Sequence, residues 1–362
     1  METAELKFKN YKNDDYKKYI SDFKKRYKNR LIIPAHHYVP ASIIEFADLT
    51  GDSYKLAVEA AGTSAEWIVF CGVSFMAEGV EILTGENQKI VVPDLDAGCP
   101  MADMIDRNAG LKALESIKSF SGSTPVPVVY MNSHVDSKSF CGESGGSVCT
   151  SSNAQKIMNY FLSRGEKLFF IPDYNLGVNT ARKAGLKEDE IALVKRDFKI
   201  EHNSSPEKIK LYLWDGMCPV HHKFSVSDID SFRQKYPDGT IIVHPEVKPE
   251  VASIADMQGS TQKIYDVVSS SPAGSVWGVG TELTFVERLS ETFKDRKIIP
   301  LNKNTCMNMN KNNLANLSES LYSIEEFEKG RGKLKFPVSV PESYRANAKK
   351  ALDKMINIAG MK

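Results

Sequence analysis

Two stretches decide the fold: Ile32-Ile33-Pro34-Ala35-His36-His37-Tyr38 and Ile241-Ile242-Val243-His244-Pro245-Glu246. Each is a short apolar run that ends in histidine. Eleven residues after His36 stands Ala47-Asp48, and fifteen after it Gly51; eleven after His244 stands Ala255-Asp256, and fifteen after it Gly259. Both glycines lead into a polar pair, Asp52-Ser53 or Ser260-Thr261, and then into an amphipathic helical pattern. A weaker third copy starts at Val126-Pro127-Val128-Val129-Tyr130-Met131-Asn132 and reaches Thr150-Ser151-Ser152-Asn153 before its helix. Internal repetition bears on the whole fold, so it is read before any single element.

Outward from these runs the copies stay in step. A second strand is expected at 67–72, 168–172 and 276–280, and a third at 89–93, 210–214 and 297–301. Beyond each third strand comes a cysteine: Cys99, Cys218 or Cys306. Strands alternating with helical stretches imply βαβ units and parallel sheets, which bind ligands beyond the carboxyl ends of their strands. The expected fold is therefore α/β, with three similar αβα (Rossmann-like) domains around a pseudo-threefold axis and a central cavity. The expected boundaries are 1–118, an N-terminal helix and the first repeat; 119–235, the second repeat with a surface insertion near 186–210; and 236–362, the third repeat and a tail. Residues 1–28 read as one lysine-rich helix, and 323–362 as a loop at Lys335-Phe336-Pro337 followed by a closing helix. Both lysine-rich ends read as solvated faces.

Composition narrows the function. Forty-seven basic against 46 acidic residues leave a net charge of +1, which asks for neither nucleic acid nor an acidic membrane surface. The longest uncharged apolar stretch, 67–77, has 11 residues, far short of the ~20 that span a bilayer. Ten Lys or Arg and no apolar core in the first 30 residues argue against a secretory signal, so a cytoplasmic location is expected. The glycine-rich stretches 142–147 and Gly278-Val279-Gly280 match neither a P-loop nor a dinucleotide fingerprint, and no nucleotide is expected.

The six cysteines include no CxxC pair, which argues against a zinc ribbon or redox dithiol. Cys71, Cys141 and Cys149 have no counterparts among the copies and read as buried or merely reactive thiols. Cys99, Cys218 and Cys306 occupy matched positions, and equivalent positions converge on a threefold axis. Three convergent thiolates suit an iron–sulfur cluster with one open iron, or zinc with His221 or His222 as a fourth ligand.

Taken together the motifs resemble the quinolinate synthase (NadA) family, from about Leu31 to Leu317. The resemblance is carried by His36-His37-Tyr38, Gly51-Asp52-Ser53, Phe75-Met76-Ala77-Glu78, Pro93-Asp94 leading to Ala97-Gly98-Cys99, and Tyr130-Met131-Asn132. It continues in Thr150-Ser151-Ser152-Asn153, Pro172-Asp173-Tyr174-Asn175-Leu176-Gly177 and Cys218-Pro219-Val220-His221. It ends in His244-Pro245-Glu246, Gly259-Ser260-Thr261, Gly280-Thr281-Glu282 and Cys306-Met307-Asn308-Met309. The resemblance implies a cytoplasmic enzyme of NAD biosynthesis, a transferase that condenses iminoaspartate with dihydroxyacetone phosphate to quinolinate, releasing phosphate and two waters. It implies a 4Fe-4S cluster on Cys99, Cys218 and Cys306, and a functional link to an L-aspartate oxidase or dehydrogenase. His36, Tyr38, Ser53, Tyr130, Asn132, Ser151, His244, Glu246, Ser260 and Thr261 then line the substrate cavity. The sequence departs from the family pattern at Val247, where a cysteine is frequent, and at Met307, where proline is usual.

Both implied substrates are anions, yet few of these motifs hold Lys or Arg. Helix N-termini bind anions through free N–H groups and a positive dipole end, and Ser53, Ser151, Ser260 and Thr261 are expected at three such starts. Ring closure needs proton transfers, for which Glu246, His244, Tyr130 and Tyr38 are the candidate catalytic groups. His221 reads as a residue behind them, and His37 and His222 as structural or rim residues. The rival readings are a diphthamide-forming radical enzyme of the same architecture, and a cluster-bearing sensor or metabolite-binding protein.

Overall fold

The structure, a computed structural model, describes residues 4–85 and 87–360. Residues 1–3 and 361–362, the outer ends of the expected N-terminal helix and tail, lie outside the described residues. The chain forms two compact units, Met1–Cys99 with Cys306–Val340, and Pro100–Thr305 with Pro341–Lys362.

In the first unit, Leu31–Ile32 pairs in parallel with Trp67–Val69, which pairs with Lys89–Val91. One residue further on, Pro34–His36 pairs in parallel with Leu49–Gly51. The second unit holds two sheets. One runs Ser147–Cys149, Val126–Tyr130, Leu168–Ile171, Leu211–Trp214, and the other Met257–Gln258, Thr240–Val243, Val276–Gly280, Lys297–Pro300. Each set thus has the same spatial order, and every expected strand is present. A short edge strand before each polar pair, at Leu49–Gly51, Ser147–Cys149 and Met257–Gln258, was not legible as a strand because it has only two or three residues.

The spacing between the first and third copies has a physical cause. The Asp48 carboxylate accepts the Ile33 N–H at 2.8 Å, and that of Asp256 accepts the Ile241 N–H at 2.7 Å. Each aspartate satisfies a buried backbone donor that would otherwise be stranded, Ile33 between two strand segments and Ile241 within its strand. Each also meets a cation that reaches a nearby carbonyl: Lys24 binds Asp48 and the Phe46 oxygen, and Arg233 binds Asp256 and the Ile254 oxygen.

Three local expectations need correction. The 186–210 segment is not only surface loop, because Ile191–Val194 pairs in parallel with Leu211–Trp214 and Ile200–Glu201 adds an antiparallel edge. Charged residues obscured that strand. The N-terminal helix is broken into Ala4–Phe8 and Asn13–Tyr27, and its buried Phe8, Ile20, Phe23 and Tyr27 make it more than a solvated face. The helix Leu314–Glu328 runs through the first six residues of the 323–362 segment, ahead of the expected loop at Lys335-Phe336-Pro337 and the closing helix Glu342–Ala359.

The closing helix packs on Val135–Glu143, and glycine permits that approach: a Cβ on Gly142 would lie 1.8 Å from the Asn347 oxygen. Gly142 therefore serves the packing of these two helices. No helix among the described residues is long and apolar enough to cross a membrane.

Candidate active site

Parallel strands place their carboxyl-terminal residues on one edge of a sheet, and the candidate residues sit there or just beyond. Glu246 follows Thr240–Val243 by two residues of turn and is buried. Its Oε1 accepts the Tyr130 hydroxyl at 2.6 Å, and its Oε2 lies 2.7 Å from His221 Nδ1. A carboxylate only accepts, so His221 carries its Nδ1 proton towards Glu246. His221 Nδ1 is also 3.2 Å from Cys218 Sγ, and its Nε2 is 3.0 Å from the Thr281 hydroxyl. The His244 ring stacks on His221 with centroids 4.4 Å apart.

Electrostatics divide these groups. Burial alone raises the Glu246 carboxyl, but the His244 and His221 rings and the hydrogen bonds from His221 and Tyr130 outweigh it and hold Glu246 below the usual carboxylate range. Burial pushes His244 down to about 3, so its ring is neutral near pH 7. The Glu246 N–H meets His244 Nδ1 at 3.4 Å, which leaves the proton of the neutral ring on Nε2. Glu246 is thus an ionised base between two donors, beside a neutral imidazole.

The helix Tyr174–Lys183 holds both loops of this network. Asp173, its N-cap, accepts the Leu176 N–H and also the Cys218 N–H at 3.1 Å. Burial and then the charge of Glu246 push the Asp173 carboxyl well above its ordinary value, against those backbone donors. Asn175 donates to the Glu246 carbonyl at 3.1 Å and contacts His222 Nδ1 at 3.2 Å. Asn179 donates to the Pro245 and Val247 carbonyls at 2.8 and 2.9 Å, one on each side of Glu246. Sequence reasoning assigned no role to Asp173, Asn175 or Asn179; the four-residue spacing of Asn175 and Asn179 on one helical face was the available signal.

Other candidates occupy comparable places. In the first unit, His36 ends its strand in register with Gly51, its Nδ1 accepts the Tyr38 N–H at 3.2 Å, and the Tyr38 ring meets its ring edge-on. His37 is buried beside them. Ser53 is buried in the first turn of Ser53–Ala61, where Asp52, not Ser53, is the cap. Ser260 caps Thr261–Ser270, and Thr261 is its first residue; both are buried. Ser151, expected at a helix start, precedes the helix Ala154–Leu162 by a turn, and the cap position belongs to Asn153. Asn153 Oδ1 accepts the Thr150 N–H at 2.7 Å while its buried Nδ2 has no hydrogen-bond partner among the described residues. Asn132 is half-buried just past Tyr130.

The cysteines separate into two classes. Cys71, Cys141 and Cys149 are fully buried and burial raises their thiols, whereas Cys99, Cys218 and Cys306 are half-buried in loops. Within the first unit the Cys99 and Cys306 loops are tied together: Lys311 reaches the Asp96 carbonyl at 2.5 Å, and Asn316 the Asp94 carboxylate at 3.1 Å. In the second unit Cys218, His221 and Glu246 form a compact donor set. Soft thiolates of this accessible class fit an iron–sulfur cofactor, and the buried class does not. Val247, where a cysteine is frequent, is buried in an apolar core, and Met307 is 73% exposed.

Comparison with known proteins agrees with this donor chemistry. The family model described as NadA, quinolinate synthetase A protein, matches residues 18–357. The chain belongs to the quinolinate synthase family. Quinolinate synthases of Geobacillus sp. (strain WCH70) and Geobacillus kaustophilus (strain HTA426) are similar to it at 41% identity over 344 residues and 42% over 340. The first alignment covers 94% of this chain and 92% of the relative, the second 93% and 91%. The quinolinate synthase of Bacillus subtilis (strain 168) is 39% identical over 357 residues, 97% of this chain and 95% of the relative.

Proposed function

We propose that this enzyme of NAD biosynthesis condenses iminoaspartate with dihydroxyacetone phosphate to quinolinate, releasing phosphate and two waters. The observation that carries the reading is the buried, ionised Glu246 bound to Tyr130 and His221 beside Cys218, in a chain matched almost end to end by the family. Glu246 is the base. It draws the Tyr130 proton as the phenol oxygen takes one from substrate carbon, and the reverse transfer delivers protons to leaving hydroxyls. His244 and His36 present Nε2 hydrogens, fixed by backbone donors at Nδ1, to orient carboxylate or carbonyl oxygens. Tyr38 offers a further hydroxyl from the His36 turn.

The cofactor is a 4Fe-4S cluster with Cys99, Cys218 and Cys306 as its thiolates. When bound, it supplies one open iron as a Lewis acid for a substrate oxygen or nitrogen. Ser53, Ser151, Ser260 and Thr261, with their helix starts, hold the carboxylates and the phosphate, and Asn132 hydrogen-bonds the same ligand. The buried Asn153 amide is a further donor available there. The shared strand order of the three repeats, the first of them divided between two sheets, supports three αβα domains, 1–118, 119–235 and 236–362, around a pseudo-threefold axis with a central cavity. Iminoaspartate hydrolyses readily, so an L-aspartate oxidase or dehydrogenase must supply it nearby.

The test is an anaerobic assay of the iron- and sulfide-reconstituted chain with both substrates. Quinolinate is the expected product; a cluster-loaded chain that forms none would point instead to a sensor or metabolite-binding protein.

A further inference from the structure

We propose that the cluster-free protein carries a zinc site made of Cys218, His221 and Glu246, and that zinc held there blocks rebuilding of the cluster. Only this last consequence rests on the functional reading above, through Cys218; the binding itself does not.

One sulfur, one nitrogen and one oxygen donor lie within 4.8 Å of one another in a single unit, and His221 and Glu246 are buried. Nδ1 of His221 is 3.2 Å from Cys218 Sγ and 2.7 Å from Glu246 Oε2. Bonds of about 2.0–2.3 Å around tetrahedral zinc put its donors roughly 3.3–3.6 Å apart. The three side chains therefore need to shift by little more than about 1 Å to surround an ion. Three protein ligands of mixed S, N and O type with a fourth position open are a common zinc arrangement, whereas iron–sulfur clusters favour thiolates.

The surroundings suit the ion as well. A histidine that ligates through one nitrogen usually anchors the other, and His221 Nε2 already meets the Thr281 hydroxyl at 3.0 Å. On binding, the Cys218 thiol loses its proton to solvent, and the His221 ring releases its Nδ1 proton to solvent and takes one up at Nε2, where the Thr281 oxygen accepts it. Stacking on His244 limits rotation of the ring, and Tyr130 continues to hold the other carboxylate oxygen. Zinc so held would occupy the Cys218 thiolate and the Glu246 carboxylate together.

Cobalt(II) and zinc distinguish this site from binding by the other cysteines. The full-length Cys99→Ser/Cys306→Ser chain, prepared without cluster, should bind one cobalt per chain with a thiolate charge-transfer band and tetrahedral visible bands, displaced by zinc. Adding His221→Ala, or His221→Asn should the alanine form fold poorly by circular dichroism, should weaken cobalt binding at least tenfold. In the otherwise unmodified cluster-free chain, one equivalent of zinc should slow anaerobic cluster assembly, and His221→Asn should relieve the block. The proposal is overturned by cobalt binding that needs Cys99 or Cys306, by binding indifferent to His221, or by cluster assembly unaffected by zinc. Quinolinate formation by the reconstituted chain is measured separately, so the two readings fail independently.

Discussion

The His36 and His244 turns are built on one plan and equipped for different chemistry. In each, the histidine N–H bonds across the sheet, to the Cys71 or the Gly280 carbonyl at 2.9 Å. In each, histidine Nδ1 accepts the N–H of the residue two positions on, and an aspartate fifteen residues after a buried amide caps that amide. The side chain two positions after the histidine is what differs. Tyr38 brings a neutral hydroxyl, whereas Glu246 brings a carboxylate that its neighbours keep ionised. Repetition preserved the backbone device, and a single position puts an ionised carboxylate in one copy and a phenol in the other.

The largest expected effect breaks that asymmetry directly. Glu246→Gln keeps the shape and removes the base, so kcat should fall by roughly a hundredfold or more while cluster absorption stays unchanged. Tyr130→Phe should behave alike, since it removes the other half of the proton path. A wild-type rate in either variant would remove that residue from the chemistry. Asn179→Ala leaves the Pro245 and Val247 carbonyls without their donor, and kcat should drop about tenfold with little change in KM, with partial recovery in Asn179→Gln. An unchanged kcat would mean the turn holds Glu246 without that clamp. Tyr38→Phe should cost less, about five- to tenfold in kcat/KM, the worth of one hydrogen bond. A loss as deep as that of Glu246→Gln would erase the distinction between the turns. Asp48→Ala and Asp256→Ala should each cost about 1–3 kcal/mol through an unsatisfied buried amide, read as a lower Tm at intact cluster content. Unequal losses would show that the two copies do not share the device.

Much of this plan was legible because it recurs. The apolar runs, the Ala-Asp pairs and the cysteine positions repeat at fixed spacing, and the parallel strands lie where they were expected. Short edge strands and the strand Ile191–Val194 were hidden, the former by length and the latter by its charged surroundings. The serines are expected at helix starts from type and place alone, and Ser53 does open its helix, although the cap there is Asp52, whose carboxylate reaches the Lys55 N–H. His221 reads from the sequence as a residue behind the site, yet its ring bonds Glu246 directly. Its link to Glu246 spans 25 residues of sequence, and Tyr130 meets Glu246 across 116, contacts that no local pattern records.

The contrast between accessible and buried thiols leads to the most direct test, iron and sulfide analysis of six single Cys→Ser variants reconstituted without oxygen. Cys71→Ser, Cys141→Ser and Cys149→Ser should retain the cluster and its absorption, because their thiols are sealed in apolar surroundings. Cys99→Ser, Cys218→Ser and Cys306→Ser should each lose it, together with quinolinate formation. A full cluster in Cys218→Ser, or loss of the cluster from a well-folded Cys71→Ser, would contradict the account.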